Sequence, residues 1–508
     1  MLLFSSFILP PFTPRVKANL IAVLGLKNLF LYCIIYLIGH KPGRGIKMKI
    51  IMDRLCIVFA KAFDIIEKEQ LGASENHSMR VAALCVAMGK RLGYDDDRIS
   101  AIATCGMFHD SALTEYHLSM ESGESQQRNM MLHCEKGQKN VSWLPFKSDI
   151  EKLVMYHHER GDGQGPYRKT DDEIPLESAI IAVADAVDAT HHLQRISKDE
   201  LPALRETVRS NANRYSTLES VNVLFDVLDE TLLEKLSDEN IMHTVESWLP
   251  RWEVEISDPR VLRVGEFMAR VIDYKSVFTH IHTSQIANRA WLMAEYYGYS
   301  TEEKHALFLA AALHDIGKIA IPVEILEKPG KLDDDEFAII KQHVKNTLDW
   351  LSEIPDFDLI RNWASDHHEK LGGFGYSRGK TESELDFNAR LMACIDIYQA
   401  VWEPRPYHPA RTHEQTMEIL NDMASKGQID AGIVKDLDTV MSEYSGKEVP
   451  SPFNNWNGDD TISKNADDFT EKTGYCCTKC GYVYDGNHLP EGFICPICRN
   501  TEFTAYRV

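Results

Sequence analysis

Strand-like alternation is scarce between Met52 and Tyr444, which argues against a β-rich architecture for most of the chain. A basic excess is also lacking. The 55 Lys and Arg residues face 76 Asp and Glu, leaving a formal charge of -21, so no broad surface for a nucleic-acid backbone is implied. An anionic substrate would then need a local positive centre such as a bound metal ion. The 11 cysteines do not form a disulfide framework: Cys476, Cys477, Cys480, Cys495 and Cys498 crowd the C-terminus, while the other six stand singly in helical-looking sequence. Isolated cysteines in apolar runs, such as Cys85 and Cys394, read as small core residues. No receiver, PAS or other input segment is recognisable ahead of the helical region.

At 508 residues the chain exceeds a single core, and a prior of roughly 100 to 200 residues per domain suggests three or so units. Residues 1–47 form an apolar N-terminal segment. Within it, residues 18–39 are long enough to span a bilayer, but Lys27 sits near the middle, where a charge costs roughly 2.5 to 3.5 kcal/mol. Either this segment anchors an otherwise cytoplasmic protein to a membrane, or the functional chain begins at Met48 or Met52. Apolar residues at three- and four-residue spacing predict helices over residues 52–249 and again over 255–446, with the PRWEVEISDPR stretch (250–260) breaking the pattern between them. Residues 447–472 read as a polar linker, and 473–508 as a short aromatic, Cys-rich module.

The organising feature is an internal repeat carried by histidines. His77, His109-Asp110, His133, His157-His158 and Asp185 recur as His282, His314-Asp315, His343, His367-His368 and Asp396. Successive steps are 32, 24, 24 and 28 residues in the first series and 32, 29, 24 and 29 in the second. A single histidine is more often a core or surface residue than a ligand, but seven positions repeated in order point to a metal site in each half. Imidazole and carboxylate donors suit first-row divalent ions. An Asp directly after a His can bridge two ions while the His binds one, and a pair of ions about 3.5 to 4 Å apart can polarise a phosphoryl group and acidify water.

These motifs resemble the HD superfamily of metal-dependent phosphohydrolases, named for the pair carried here by His109-Asp110 and His314-Asp315. The second copy is similar to the HD-GYP class in AALHDIGKIAIPVEILEKPGKL (311–332), KQHVKNT (341–347), HHEKLGGFGYSRG (367–379) and CIDIYQAVWEPRPY (394–407). The resemblance implies a mainly α fold of two tandem HD-type helical bundles, and hydrolysis of a cyclic dinucleotide, most readily cyclic di-GMP. It makes His282, His314, Asp315, His343, His367, His368 and Asp396 the metal ligands, with a pair of divalent ions, iron or manganese, at each site. Asp315 and Lys318 are expected to carry catalysis, Lys318 contacting the scissile phosphate or a bridging water. Tyr376 and Arg405 are expected to hold the nucleotide, with plain surface packing as the competing reading. The second copy departs from the class at Gly372, usually Asp, and at Ser377, usually Pro. Some members carry a Glu four residues before the first His to hold a third ion; here Ala73 and Phe278 stand there, so two ions per site are expected. The first copy keeps the ligand types, but Leu113 stands where the second has Lys318, and its loop HHERGDGQGPY (157–167) reads Gly-Pro-Tyr. It either acts on a different substrate or serves as a regulatory partner.

In the C-terminal module two Cys-x-x-Cys pairs are separated by 14 residues, which brings Cys477, Cys480, Cys495 and Cys498 into one tetrahedral set and leaves Cys476 as the spare. The run CGYVYDG is similar to rubredoxin, which implies one iron; Arg499, where rubredoxins usually carry Gly, keeps zinc open. A cyclic dinucleotide phosphodiesterase with a redox-linked rubredoxin-like module is therefore the leading expectation. A di-iron oxygenase and a non-catalytic nucleotide or oxygen sensor are the alternatives. The expected partner is a small cyclic dinucleotide and not a nucleic-acid polymer, with homodimerisation left open.

Overall fold

The computed structural model describes residues 47–112, 126–273, 275–276, 282–328, 330–376, 378–404 and 410–452, together with the backbone of three short strands farther on. The apolar segment before residue 47, the linker from residue 453, Leu113, Phe278, Ser377, Arg405, Cys480, Cys495 and Cys498 lie outside the described residues. Among the described residues no helix is long and apolar enough to cross a membrane.

Helix boundaries follow their caps. Omitting single turns, the first half runs β1 (Lys49–Ile51), α1 (Met52–Leu71), α2 (His77–Arg91), α3 (Asp96–Met107), α4 (Gln126–Ser142), α5 (Leu176–His191), α6 (Leu201–Ser210), α7 (Leu218–Val227), α8 (Glu230–Lys235) and α9 (Ile241–Trp248). The Asp95 side chain accepts from Arg98 N and starts α3, while Gly72 in the left-handed region (φ 69°) ends α1. After β2 (Glu253–Glu255) come α10 (Arg260–Asp273), α11 (His282–Tyr296), α12 (Thr301–Leu313), α13 (Asp334–Leu351), α14 (Asp358–Ser365), α15 (Phe387–Trp402), α16 (His413–Ser425) and α17 (Ala431–Met441). Capping boxes open α12 at Ser300 with Glu303 and α13 at Asp333 with Glu336. The protein is mainly helical, as the periodicity implies.

Two details depart from the helical expectation. The break at 250–260 is a strand: β2 pairs antiparallel with β1, Ile50 opposite Val254, and three-residue strands are too short to show as alternation. The two halves are also joined by packing across their boundary. Phe59 of α1, Phe108 at the end of α3 and Phe267 of α10 pack ring to ring at 5.3 to 6.0 Å, and one continuous apolar core runs through both halves. Lys61 pairs with Glu353 at 2.8 Å across the same boundary. Cys56, Cys85, Cys105, Cys134 and Cys394 are buried free thiols, as their apolar settings suggest. Farther on, β3 (Thr473–Cys477), β4 (Val483–Tyr484) and β5 (Phe503–Arg507) form an antiparallel sheet in the order β4-β3-β5.

Candidate metal centres

In each half the first histidine opens a helix, the His-Asp pair ends the next one, and a third helix brings the middle histidine across. Thus His282 starts α11, His314-Asp315 follow α12, His343 lies in α13, His367-His368 follow α14, and Asp396 sits inside α15. The close approach of the His-Asp turn to α13 depends on Gly317, where a Cβ would fall 1.9 Å from the His343 carbonyl oxygen. Thr347 fixes this contact: its Oγ1 donates to His314 O at 3.0 Å and accepts from Gly317 N at 3.1 Å. The first half solves the same approach from the opposite side. Gly137 of α4 carries the missing side chain there, its notional Cβ lying 3.2 Å from His109 O.

All seven donors of the second series converge. Asp315 spans the group: Oδ2 lies 3.1 Å from His314 Nε2 and 3.7 Å from His282 Nε2, while Oδ1 lies 3.5 Å from His343 Nε2 and 3.9 Å from His367 Nε2. Asp396 links the far side, 3.6 Å from both His282 Nε2 and His368 Nδ1. The first series converges likewise. Asp110 Oδ2 is 3.6 Å from His109 Nε2, and its Oδ1 is 3.1 Å from His133 and 3.7 Å from His157; Asp185 Oδ1 is 3.2 Å from His77 and 3.6 Å from His109. Each half therefore offers two adjacent donor groups, with the Asp of the His-Asp pair between them.

The donor atoms fit cations. His314 Nε2, His343 Nε2, His367 Nε2 and Asp315 Oδ1 are buried without a hydrogen-bond partner, as are His109 Nε2, His157 Nε2 and Asp110 Oδ1. Buried polar atoms in that condition are costly unless something else satisfies them. The opposite ring nitrogens are occupied: Nδ1 of His314, His343 and His367 contacts the carbonyl three residues earlier, at 2.7, 2.5 and 2.6 Å, and His109 does the same with Gly106 at 2.8 Å. An Nδ1 proton held on a carbonyl leaves the Nε2 lone pair facing the centre.

Electrostatics keep the bridging carboxylates charged and divide the imidazoles. Burial works against charge on Asp315, but His314 and Lys318 outweigh it and hold the carboxyl well below its usual range. Burial pushes His343 down to about 4 and His367 down to about 3. His282 is the exception: burial is outweighed by Glu403 and Asp396, which raise it to about 9. In the first half burial lowers His157 and His158, whereas Asp185 and Asp188 overcome it at His77, and Asp110 and Asp185 overcome it at His109, which rises to about 10.

The lysine expected beside the centre is there, with Lys318 Nζ 2.5 Å from Asp315 Oδ2. The Tyr376 ring lies 4.6 Å from that of His368. Sequence reasoning missed the groups behind the ligands. Glu403 contacts His282 Nδ1 at 3.0 Å and accepts from Gln399 at 2.8 Å; Asp188 contacts His77 Nδ1 at 2.7 Å and accepts from Arg80 at 2.8 Å. Asp188 lies one turn beyond Asp185 on α5, so the i, i+3 spacing was the available signal. The glutamate after each His-His pair was also passed over. Glu159 accepts from Tyr167 N and Lys169 N, both at 2.7 Å, and Glu369 accepts from Arg378 N and, at 3.1 Å, Lys380 N. The loop folds over this carboxylate, which explains the glycines: a Cβ at Gly165 or Gly375 would sit 2.8 or 2.5 Å from the Cα of the respective glutamate. Finally, Glu67 of α1 is buried behind the first centre, where burial and the nearby Asp64 and Asp110 raise its carboxyl well above the usual range.

The profile of the HD domain family matches residues 62–215 and 266–433. The chain belongs to the HD domain family. Among HD relatives, a 3'3'-cGAMP-specific phosphodiesterase 1 from Vibrio cholerae is 26% identical over 411 residues, covering 78% of this chain and 93% of the relative. A cyclic di-GMP phosphodiesterase response regulator from Xanthomonas campestris is 35% identical over 164 residues, 32% of this chain and 43% of the relative. The crystal structure of a cyclic GMP-AMP specific phosphodiesterase from V. cholerae shares the HD fold, with a TM-score of 0.54 and 19% identity over 78% of this chain and 98% of that one. This HD chain is a metal-dependent phosphodiesterase.

Proposed function

We propose that the chain hydrolyses a cyclic dinucleotide, and that the second centre does the chemistry. One observation carries the reading: Asp315 lies between two groups of buried, lone-pair-bearing imidazoles with Lys318 at its side. His282, His314, Asp315, His343, His367, His368 and Asp396 would hold a divalent pair, iron or manganese. When bound, such a pair supplies Lewis-acid charge for the phosphoryl oxygens and lowers the pKa of a coordinated water. Lys318 places a point positive charge where the scissile phosphate gains negative charge. Tyr376, stacked near His368, and Arg405 orient the nucleotide. The first centre, with Leu113 in place of the lysine, holds metal but is not the main site of cyclic dinucleotide cleavage.

The relative that spans most of this chain is named for 3'3'-cGAMP, whereas the shorter match is named for cyclic di-GMP, so both belong in the assay. Purified full chain, incubated anaerobically with Mn or Fe and each cyclic dinucleotide, should yield linear dinucleotide. Oxygen uptake without product, or binding without turnover, would overturn the reading. The spacing of Cys477, Cys480, Cys495 and Cys498 supports one metal ion in the C-terminal module, and the likeness of its CGYVYDG run to rubredoxin favours iron. Visible iron-thiolate absorption lost in Cys477→Ala tests it; a colourless, zinc-loaded protein is the contrary result.

A further inference from the structure

Among the described residues four large apolar side chains are exposed: Leu218, Phe337, Ile339 and Phe374. Of the two aromatic ones in the second half, Phe337 borders Tyr376 and Phe374 belongs to the same loop as Tyr376. Phe374 is 85% exposed and stands two residues before it. Phe337, on the exposed first turn of α13, meets the Tyr376 ring edge-on at 6.2 Å and carries the Lys341 ammonium 4.5 Å from its centroid. Tyr376 in turn lies 4.6 Å from His368 with the planes 33° apart. A run of rings thus leads from His368 through Tyr376 to Phe337 at the surface.

Gly372 seats the Phe374 ring. A Cβ there would lie 2.5 Å from Phe374 Cε2 and 2.8 Å from Cδ2, so the ring folds back over the Gly372 backbone and a side chain there would displace it. Among its described residues the first half lacks this arrangement. Counting from His133 and His157 as from His343 and His367, the matching positions are Gln127 and Gln164, and Gln127 spends its amide on Pro166 O at 2.7 Å. Exposed aromatic faces beside a phosphate-handling centre are unfavourable in water and favourable under a planar base. A cyclic dinucleotide with one phosphodiester at the metals must direct a base outward.

We propose that Phe374 and Phe337 form a stacking platform for a purine base of the substrate at the second centre, with Gly372 as the residue that lets Phe374 lie in place. This rests on the reading of that centre as a cyclic dinucleotide phosphodiesterase. Both rings are solvent-exposed, so their removal leaves the core intact.

The test uses Mn-loaded full chain and its Phe374→Ala, Phe337→Ala and Gly372→Ala variants. KM for cyclic di-GMP and 3'3'-cGAMP should rise about tenfold in Phe374→Ala, the size expected of one base stack, and severalfold in the other two, with kcat little changed. Phe374→Trp should restore KM. In parallel, with bis(p-nitrophenyl) phosphate as reporter, the inhibition constant of GMP should weaken about tenfold in Phe374→Ala while that of inorganic phosphate stays put. Unchanged constants for GMP, or equal weakening for GMP and phosphate, would overturn the platform. If the wild-type chain cleaves neither cyclic dinucleotide yet the contrast between GMP and phosphate holds, the platform stands and the substrate assignment falls.

Discussion

In the first HD unit His77 leans on Asp188, one turn past Asp185, and Arg80 clamps that carboxylate; in the second, His282 leans on Glu403, two turns past Asp396, with Gln399 as its donor. The loops differ in kind as well. Arg378 and Lys380 tie the second loop to Asp366, whereas at the matching place the first unit stacks Tyr156 against Tyr167, with Lys169 over the Tyr156 ring. Lys318 stands at the second centre and Leu113 in the first sequence. Ligands are held to type in both units while their supports diverge, which is expected when two copies keep metal but only one keeps a phosphate-handling charge.

The sharpest way to break this comparison is to remove the bridging carboxylate from each unit separately. Asp315→Ala should cut cyclic dinucleotide turnover by about a thousandfold or more, and Asp110→Ala should leave it within about fivefold, measured by product formation with excess Mn. Equal losses would make both units catalytic. Lys318→Met should lower kcat by about a hundredfold with metal content unchanged; a loss of metal instead would make the lysine structural.

The supports offer a finer contrast. Glu403→Gln and Asp188→Asn should each weaken metal binding in their own unit by about tenfold or more, read by metal analysis after dialysis against a weak chelator. Asp188→Asn should do more, because it also removes the charge that faces Arg80 Nε in the interior.

A contrast in stability, not activity, concerns the N-termini of the helices that open with His77 and His282. Asp64 accepts from Ser78 N at 2.9 Å and Asp273 from Thr283 N at 2.9 Å. Burial raises Asp273 to about 6, above its unfolded value. Its contribution is therefore full below about pH 4 and is lost as pH climbs through about 6, a change on the order of 3 kcal/mol. Asp273→Asn should flatten that part of the curve of melting temperature against pH; an unaltered slope would assign the dependence elsewhere.

The candidate ligand positions, which the structure brings together, were legible because each is an unusual residue in a repeated order, and the adjacency of His314 to Asp315 already suggested a bridge. Gly317 could be read only as part of a motif, since its need follows from the approach of the His343 backbone. Glu403 was hidden because its spacing from Asp396 differs from that of Asp188 from Asp185, so the repeat did not flag it. Glu67 was hidden because its role depends on how α1 lies against the first centre.

By itself the sequence determined the donor set, the helical class and the two-fold repetition, since these depend on residue type and local spacing. Tertiary structure alone decided which carboxylate steadies each first histidine and which imidazole nitrogen faces inward. It also decided that the units share a core through Phe59, Phe108 and Phe267. Such contacts join residues far apart in the chain, and their free energy depends on burial and direction that no local pattern records.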